Sequence, residues 1–151
     1  MNFSTLILVF IGGGCGSVLR YLISTITAGI NTGTCHFAFL KNIPFVGNSS
    51  IFNHIAGQLS STTPFPIGTL ICNVCGCFLI GLFNALSARF GWTADTRLML
   101  TVGLCGGFTT FSTFSNEGLA MLNANHYGLY ATYTALSIIL GLLAVLLGMK
   151  V

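Results

Sequence analysis

Apolar residues along this chain do not alternate with polar ones; they run on. Four stretches reach the ~20 residues that a helical membrane span requires: Phe3 to Ile23, Ile67 to Ala88, Leu98 to Leu122 and Tyr127 to Met149. Polar positions gather between them. Segment 24–66 carries Lys41, Asn42, His54, Gln58 and the cluster Ser60 to Thr63, and is the one sizeable part expected outside lipid. The other links, Arg89 to Arg97 (with Gly91, Trp92 and Asp95) and Asn123 to His126, are short enough to require antiparallel sequential neighbours. The expected architecture is an all-α membrane protein, a single four-span domain over residues 1–151. The first stretch has no basic lead and no small-residue cleavage site, so it reads as a retained span in a mature chain starting at Met1.

Composition strengthens this picture. Of 151 residues, 54% are hydrophobic and only 5% charged, far too few charges to keep a globular surface of this size wet. The formal charge of +3 comes from Arg20, Lys41, Arg89, Arg97 and Lys150 against Asp95 and Glu117. These are scattered singly, without the basic run that nucleic acid demands, so no nucleic-acid partner is expected. With a cytoplasmic N-terminus the inner side collects Arg89, Arg97 and Lys150, and the outer side Lys41 and Arg20. A bias that small permits insertion in both orientations and head-to-tail pairing, and equally permits one fixed orientation. Cys15, Cys72, Cys75, Cys77 and Cys105 lie inside apolar stretches, and Cys72-x-x-Cys75 has no second Cys pair or His at zinc spacing, so packing is their expected role.

Candidate chemistry concentrates where polar groups interrupt apolar runs. Gly12, Gly13 and Gly16 let a neighbouring backbone approach the first span, and Arg20 near its end either snorkels to the interface or faces a wet cavity. Asn73, inside the second span, either bridges helices or lines a wet path. In the third span Gly103, Gly106 and Gly107 precede the hydroxyls of Thr109, Thr110, Ser112, Thr113 and Ser115, at a depth where helices are normally apolar. A break there frees backbone carbonyls that protein, water or a cation must satisfy. Phe111 and Phe114 share a helix face, suited to packing or to offering the electropositive ring edge to an anion. Tyr133 and Ser137 stand four apart on the fourth span and present hydroxyls in a row. Glu117 marks either a pore mouth or a solvated helix end.

Taken in order, Gly12-Gly13-x-x-Gly16-Ser17-x-x-Arg20-Tyr21, Gly68-Thr69-Leu70-x-x-Asn73 and Gly106-Gly107-Phe108-Thr109-Thr110-Phe111-Ser112-Thr113-Phe114 resemble the CrcB/Fluc family of fluoride channels. The resemblance covers nearly the whole chain except the long connection. It implies an antiparallel, dual-topology homodimer in the cell inner or plasma membrane, with a third helix broken near its middle and two fluoride pathways. It also implies a structural sodium ion at the dimer centre, held by the carbonyls of Gly106 and Thr109. Phe111, Phe114, Asn73, Tyr133, Ser137, Thr110 and Thr113 would then border the fluoride pathway, with Arg20 and Glu117 toward its vestibules. Three departures stand out: the connection 24–66 is long, Gly141 supplies no side chain where some relatives carry a further hydroxyl, and Ser17 replaces a usual alanine without expected effect.

The implied activity is passive export of cytoplasmic fluoride down its gradient, with no enzymatic step. The alternative is a small dual-topology proton-coupled exporter of organic cations, which needs a membrane-embedded carboxylate. An enzyme using Cys72 and Cys75 lacks a base, because His36, His54 and His126 all fall outside the spans.

Overall fold

The computed structural model describes residues 3–32 and 65–151, and all secondary structure among them is helical. Helix α1 covers Phe3–Thr32, α2 Ile67–Phe90, α3 Ala94–Leu98, α4 Gly106–Phe108, α5 Phe111–Asn123 and α6 Tyr127–Met149. A π-helical stretch, Met99–Cys105, joins α3 to α4. Among the described residues, four stretches are long and apolar enough to cross a membrane: Phe3–Thr27, Ile67–Phe90, Ala94–Asn123 and Tyr127–Met149. His36, Lys41, Asn42, His54, Gln58 and the cluster Ser60 to Thr63 lie outside the described residues.

Two boundaries differ from the sequence expectation. Helix α1 continues past Ile23 to Thr32, so the long connection begins later than residue 24. The hydroxyl of Thr27 explains the continuation, since it donates back to the carbonyls of Ile23 and Ser24 at 2.8 and 3.1 Å and needs no water. The third span likewise starts at Ala94 rather than Leu98. Thr93 caps it by accepting the Thr96 amide at 3.2 Å, and Asp95 in the first turn accepts from Thr5 Oγ1 at 2.7 Å, which ties the starts of α1 and α3 together. The link after α2 thereby shrinks to Gly91, Trp92 and Thr93. Gly91 closes α2 in the left-handed region at φ 60, where a side chain would be strained.

The bundle is held by two helix pairs in which backbone meets backbone. In the first, α1 lies along the π stretch and α4. A Cβ added at Gly12 would land on the Met99 carbonyl, one at Gly16 on the Leu104 carbonyl, and one at Gly107 on the Gly13 carbonyl. One at Gly103 would meet the Val9 carbonyl, and since the pairs Val9–Gly103 and Gly13–Gly107 rise together, the first and third spans run parallel. In the second pair, α2 lies along α6. A Cβ at Gly141 would meet the Cys77 thiol and one at Gly81 the Val145 carbonyl, positions that rise together and so fit parallel helices, and one at Gly148 would strike the Phe78 carbonyl. Small residues at such seams replace hydrophobic driving force, absent in lipid, with close van der Waals contact. Large apolar side chains such as Phe3, Phe10, Leu142 and Leu147 point outward instead, as a lipid-facing surface requires.

Candidate functional site

The third span changes character in its middle. Phe108 is the last residue of α4; Thr109 (φ -94, ψ 148) and Thr110 (φ -145, ψ 113) are extended, and α5 begins at Phe111. The Thr109 amide still bonds to the Cys105 carbonyl at 2.9 Å, and its hydroxyl turns to the same oxygen at 2.9 Å. Beyond that point the ladder stops, so the carbonyls of Gly106, Gly107 and Phe108 face no continuing α-helical turn. The Gly107 carbonyl instead accepts from Arg20 Nε at 3.2 Å. Gly106 is exposed, and a Cβ there would meet nothing within 4 Å.

Next to this point runs a line of aromatic rings and hydroxyls. The Phe111 and Phe114 rings lie 5.9 Å apart, and Phe114 lies 5.0 Å from Tyr133, which Phe65 meets edge-on at 5.7 Å. Phe111 is 81% exposed, unusual for a phenyl ring at mid-span and open to whatever covers that face. Tyr133 is fully buried and donates to Glu117 Oε2 at 2.8 Å, while Thr69 donates to Glu117 Oε1 at 2.7 Å. Asn73 is half-buried one turn beyond Thr69 on α2. Ser137 donates to the Tyr133 carbonyl at 2.7 Å, so in this state its proton is committed to its own helix. Thr113 is half-buried on α5, and Thr110 is the extended residue before it.

Glu117 therefore lies in the middle of α5 rather than at its end, half-buried and held on both oxygens. It sits inside the bundle, where three helices converge and its two oxygens take one hydroxyl each. Thr69 is the site residue that sequence reasoning passed over as a candidate; the signal was a threonine beside a glycine in an apolar run. Replacing Tyr133 with phenylalanine should lower the melting temperature of the purified protein, since it leaves a buried acceptor short of a donor at a cost of about 1–3 kcal/mol. An unchanged melting curve would mean that this bond does not hold Glu117. The cysteines join no cluster: Cys15, Cys72, Cys75, Cys77 and Cys105 are free thiols, and no group of three or more metal-ligating side chains exists among the described residues.

The four apolar stretches thus bring rings and hydroxyls together beside the extended pair Thr109 and Thr110. This chain belongs to the family described as CrcB-like protein, Camphor Resistance (CrcB), whose model matches residues 7–149. It is similar to the fluoride-specific ion channel FluC of Phocaeicola vulgatus, 44% identical over 144 residues that cover 95% of this chain and 94% of that protein. Similar too are the proteins of the same name from Bacteroides fragilis, 41% identical over 143 residues (95% and 91% covered), and Gloeothece citriformis, 35% identical over 143 residues (95% and 92%).

Proposed function

We propose that this protein is a multi-pass membrane channel that lets cytoplasmic fluoride leave passively down its electrochemical gradient, and not an enzyme. The observation that carries the reading is the line Phe111, Phe114, Tyr133, Glu117 and Thr69 beside the interrupted third span, in a chain whose relatives are named for fluoride. Fluoride is small and strongly hydrated, so a selective path replaces its water with several neutral donors and avoids any deep charged trap. Ring edges, hydroxyls and the Asn73 amide meet that need. Tyr133, Ser137, Thr110 and Thr113 hold hydroxyls that rotate from protein acceptors to a passing anion. The Glu117 carboxylate opposes tight anion binding nearby and so favours exit, while Arg20 draws fluoride into the vestibule.

The finer architecture belongs to the same proposal. The third span is broken at Thr109 and Thr110, and two copies pair antiparallel, inserted in opposite orientations, across the face that exposes Gly106 and Phe111. A second copy on that face would cover a ring that otherwise has no protein partner outward. The freed carbonyls of Gly106 and Thr109 fit a hard monovalent cation, being neutral oxygens in a place without water to satisfy them. When bound there, sodium supplies a fixed positive charge that joins the two broken helices. The proton-coupled exporter gains no support from the relatives, all three of which are named as channels.

Asn73→Ala tests the path directly. In liposomes loaded with fluoride it should slow efflux by about tenfold or more, the worth of one hydrogen bond to a charged group. Chloride should remain excluded. Efflux equal to the unaltered protein would remove Asn73 from the path.

A further inference from the structure

Arg20 lies on α1 four residues after Gly16, on the face that the glycines press against the π stretch and α4. Its Nε–H donates to the carbonyl of Gly107, the next-to-last residue of α4. That carbonyl is one of those a helix ending at Phe108 leaves without an amide, and a cation at a helix C-terminus also meets the partial negative charge gathered there. A charge-assisted bond of this kind is stronger than a neutral one. Its acceptor is also fixed, because Gly107 is pinned against the backbone of Gly13, with no room even for a methyl group. The bond therefore joins a half-buried guanidinium to a carbonyl that has little freedom to turn.

We infer that Arg20 is a positioning residue for the cation site: by engaging the Gly107 carbonyl it holds the end of α4 so that the flanking carbonyls of Gly106 and Thr109 stay free for sodium. This rests on the channel reading above and adds to it. Attraction of anions at a vestibule needs only the charge of Arg20, whereas capping needs the N–H at one place along the side chain. The two roles are separable because Gln carries its amide nitrogen the same number of bonds from Cα as the Nε of Arg. Arg20→Gln keeps the cap and loses the charge, Arg20→Lys keeps the charge and misplaces the donor, and Arg20→Met loses both while preserving length.

The experiment is thermal melting of the purified protein in detergent, titrated with sodium chloride against choline chloride at constant ionic strength. The sodium concentration giving half-maximal stabilisation should be similar in the unaltered protein and Arg20→Gln, and about tenfold or more higher in Arg20→Met, as loss of one charge-assisted bond dictates. Arg20→Lys should follow Met rather than Gln. Should Arg20→Met not fold, the Gln and Lys variants still decide the matter. An Arg20→Met midpoint equal to that of the unaltered protein overturns the inference, as does a Lys variant that tracks the unaltered protein while Gln does not. An unaltered protein that releases fluoride from liposomes but shows no sodium response overturns it too. Failure of the unaltered protein to release fluoride overturns the channel reading instead.

Discussion

Replacing Phe111 with isoleucine should slow fluoride efflux by at least about tenfold while the protein still assembles and melts normally, and replacing Phe111 and Phe114 together should slow it considerably more, at some cost in melting temperature. The expectation follows from where the rings are. Phe111 is 81% exposed, so trimming it opens no cavity in the chain and releases little packing energy. What it removes is the ring edge, the only part of the side chain that an anion finds attractive, and an aliphatic group of similar volume offers nothing in its place. A lost contact of about 1.4 kcal/mol at the barrier corresponds to that tenfold change. Phe114 differs, being stacked between Phe111 and Tyr133, so its replacement disturbs the ring that donates to Glu117 as well. Efflux from liposomes, measured with a fluoride electrode, reads the effect, and size-exclusion chromatography reports assembly. Normal efflux from an assembled Phe111→Ile protein would remove that ring from the pathway.

The second large effect concerns folding. Gly16→Ala should destabilise the protein by about 3 kcal/mol or more, at or beyond the upper end of what overpacking costs, because the new methyl group meets backbone rather than a side chain that moves aside. The Leu104 carbonyl and Phe108 amide stand in its way, and both belong to the segment leading into the break. Gly14→Ala, half a turn away on the same helix, faces nothing within 4 Å and should be neutral or stabilising by up to ~1 kcal/mol. Trp92 fluorescence during thermal melting of the two variants makes the comparison. Equal melting temperatures would mean that the first and third spans are not packed through their glycines.

The four spans were legible because lipid selects for run length, a property that sequence displays directly. Glycines and hydroxyls crowding a place where apolar residues belong also drew attention to the segment that holds the extended pair Thr109 and Thr110. Boundaries were less legible. Thr27 looks like loop material until its hydroxyl is seen satisfied within the helix, and Asp95 looks like a solvated loop charge until Thr5, from the other end of the first hundred residues, is found beside it. Glu117 was the plainest case. Its position depends on Thr69 and Tyr133, which are 48 and 16 residues distant, and no local pattern reports partners so remote. Arg20 was left between snorkelling and a wet cavity; its donation to Gly107 rests on the packing of two spans and was visible in neither alone.

The central claim, selective passage of fluoride, is tested most directly by reconstituting the purified protein in liposomes loaded with fluoride and chloride. An ionophore dissipates the counter-charge, and an electrode follows each anion. Rapid release of fluoride with negligible release of chloride is the predicted result; verified, folded protein that releases no fluoride, or releases both anions alike, would contradict it.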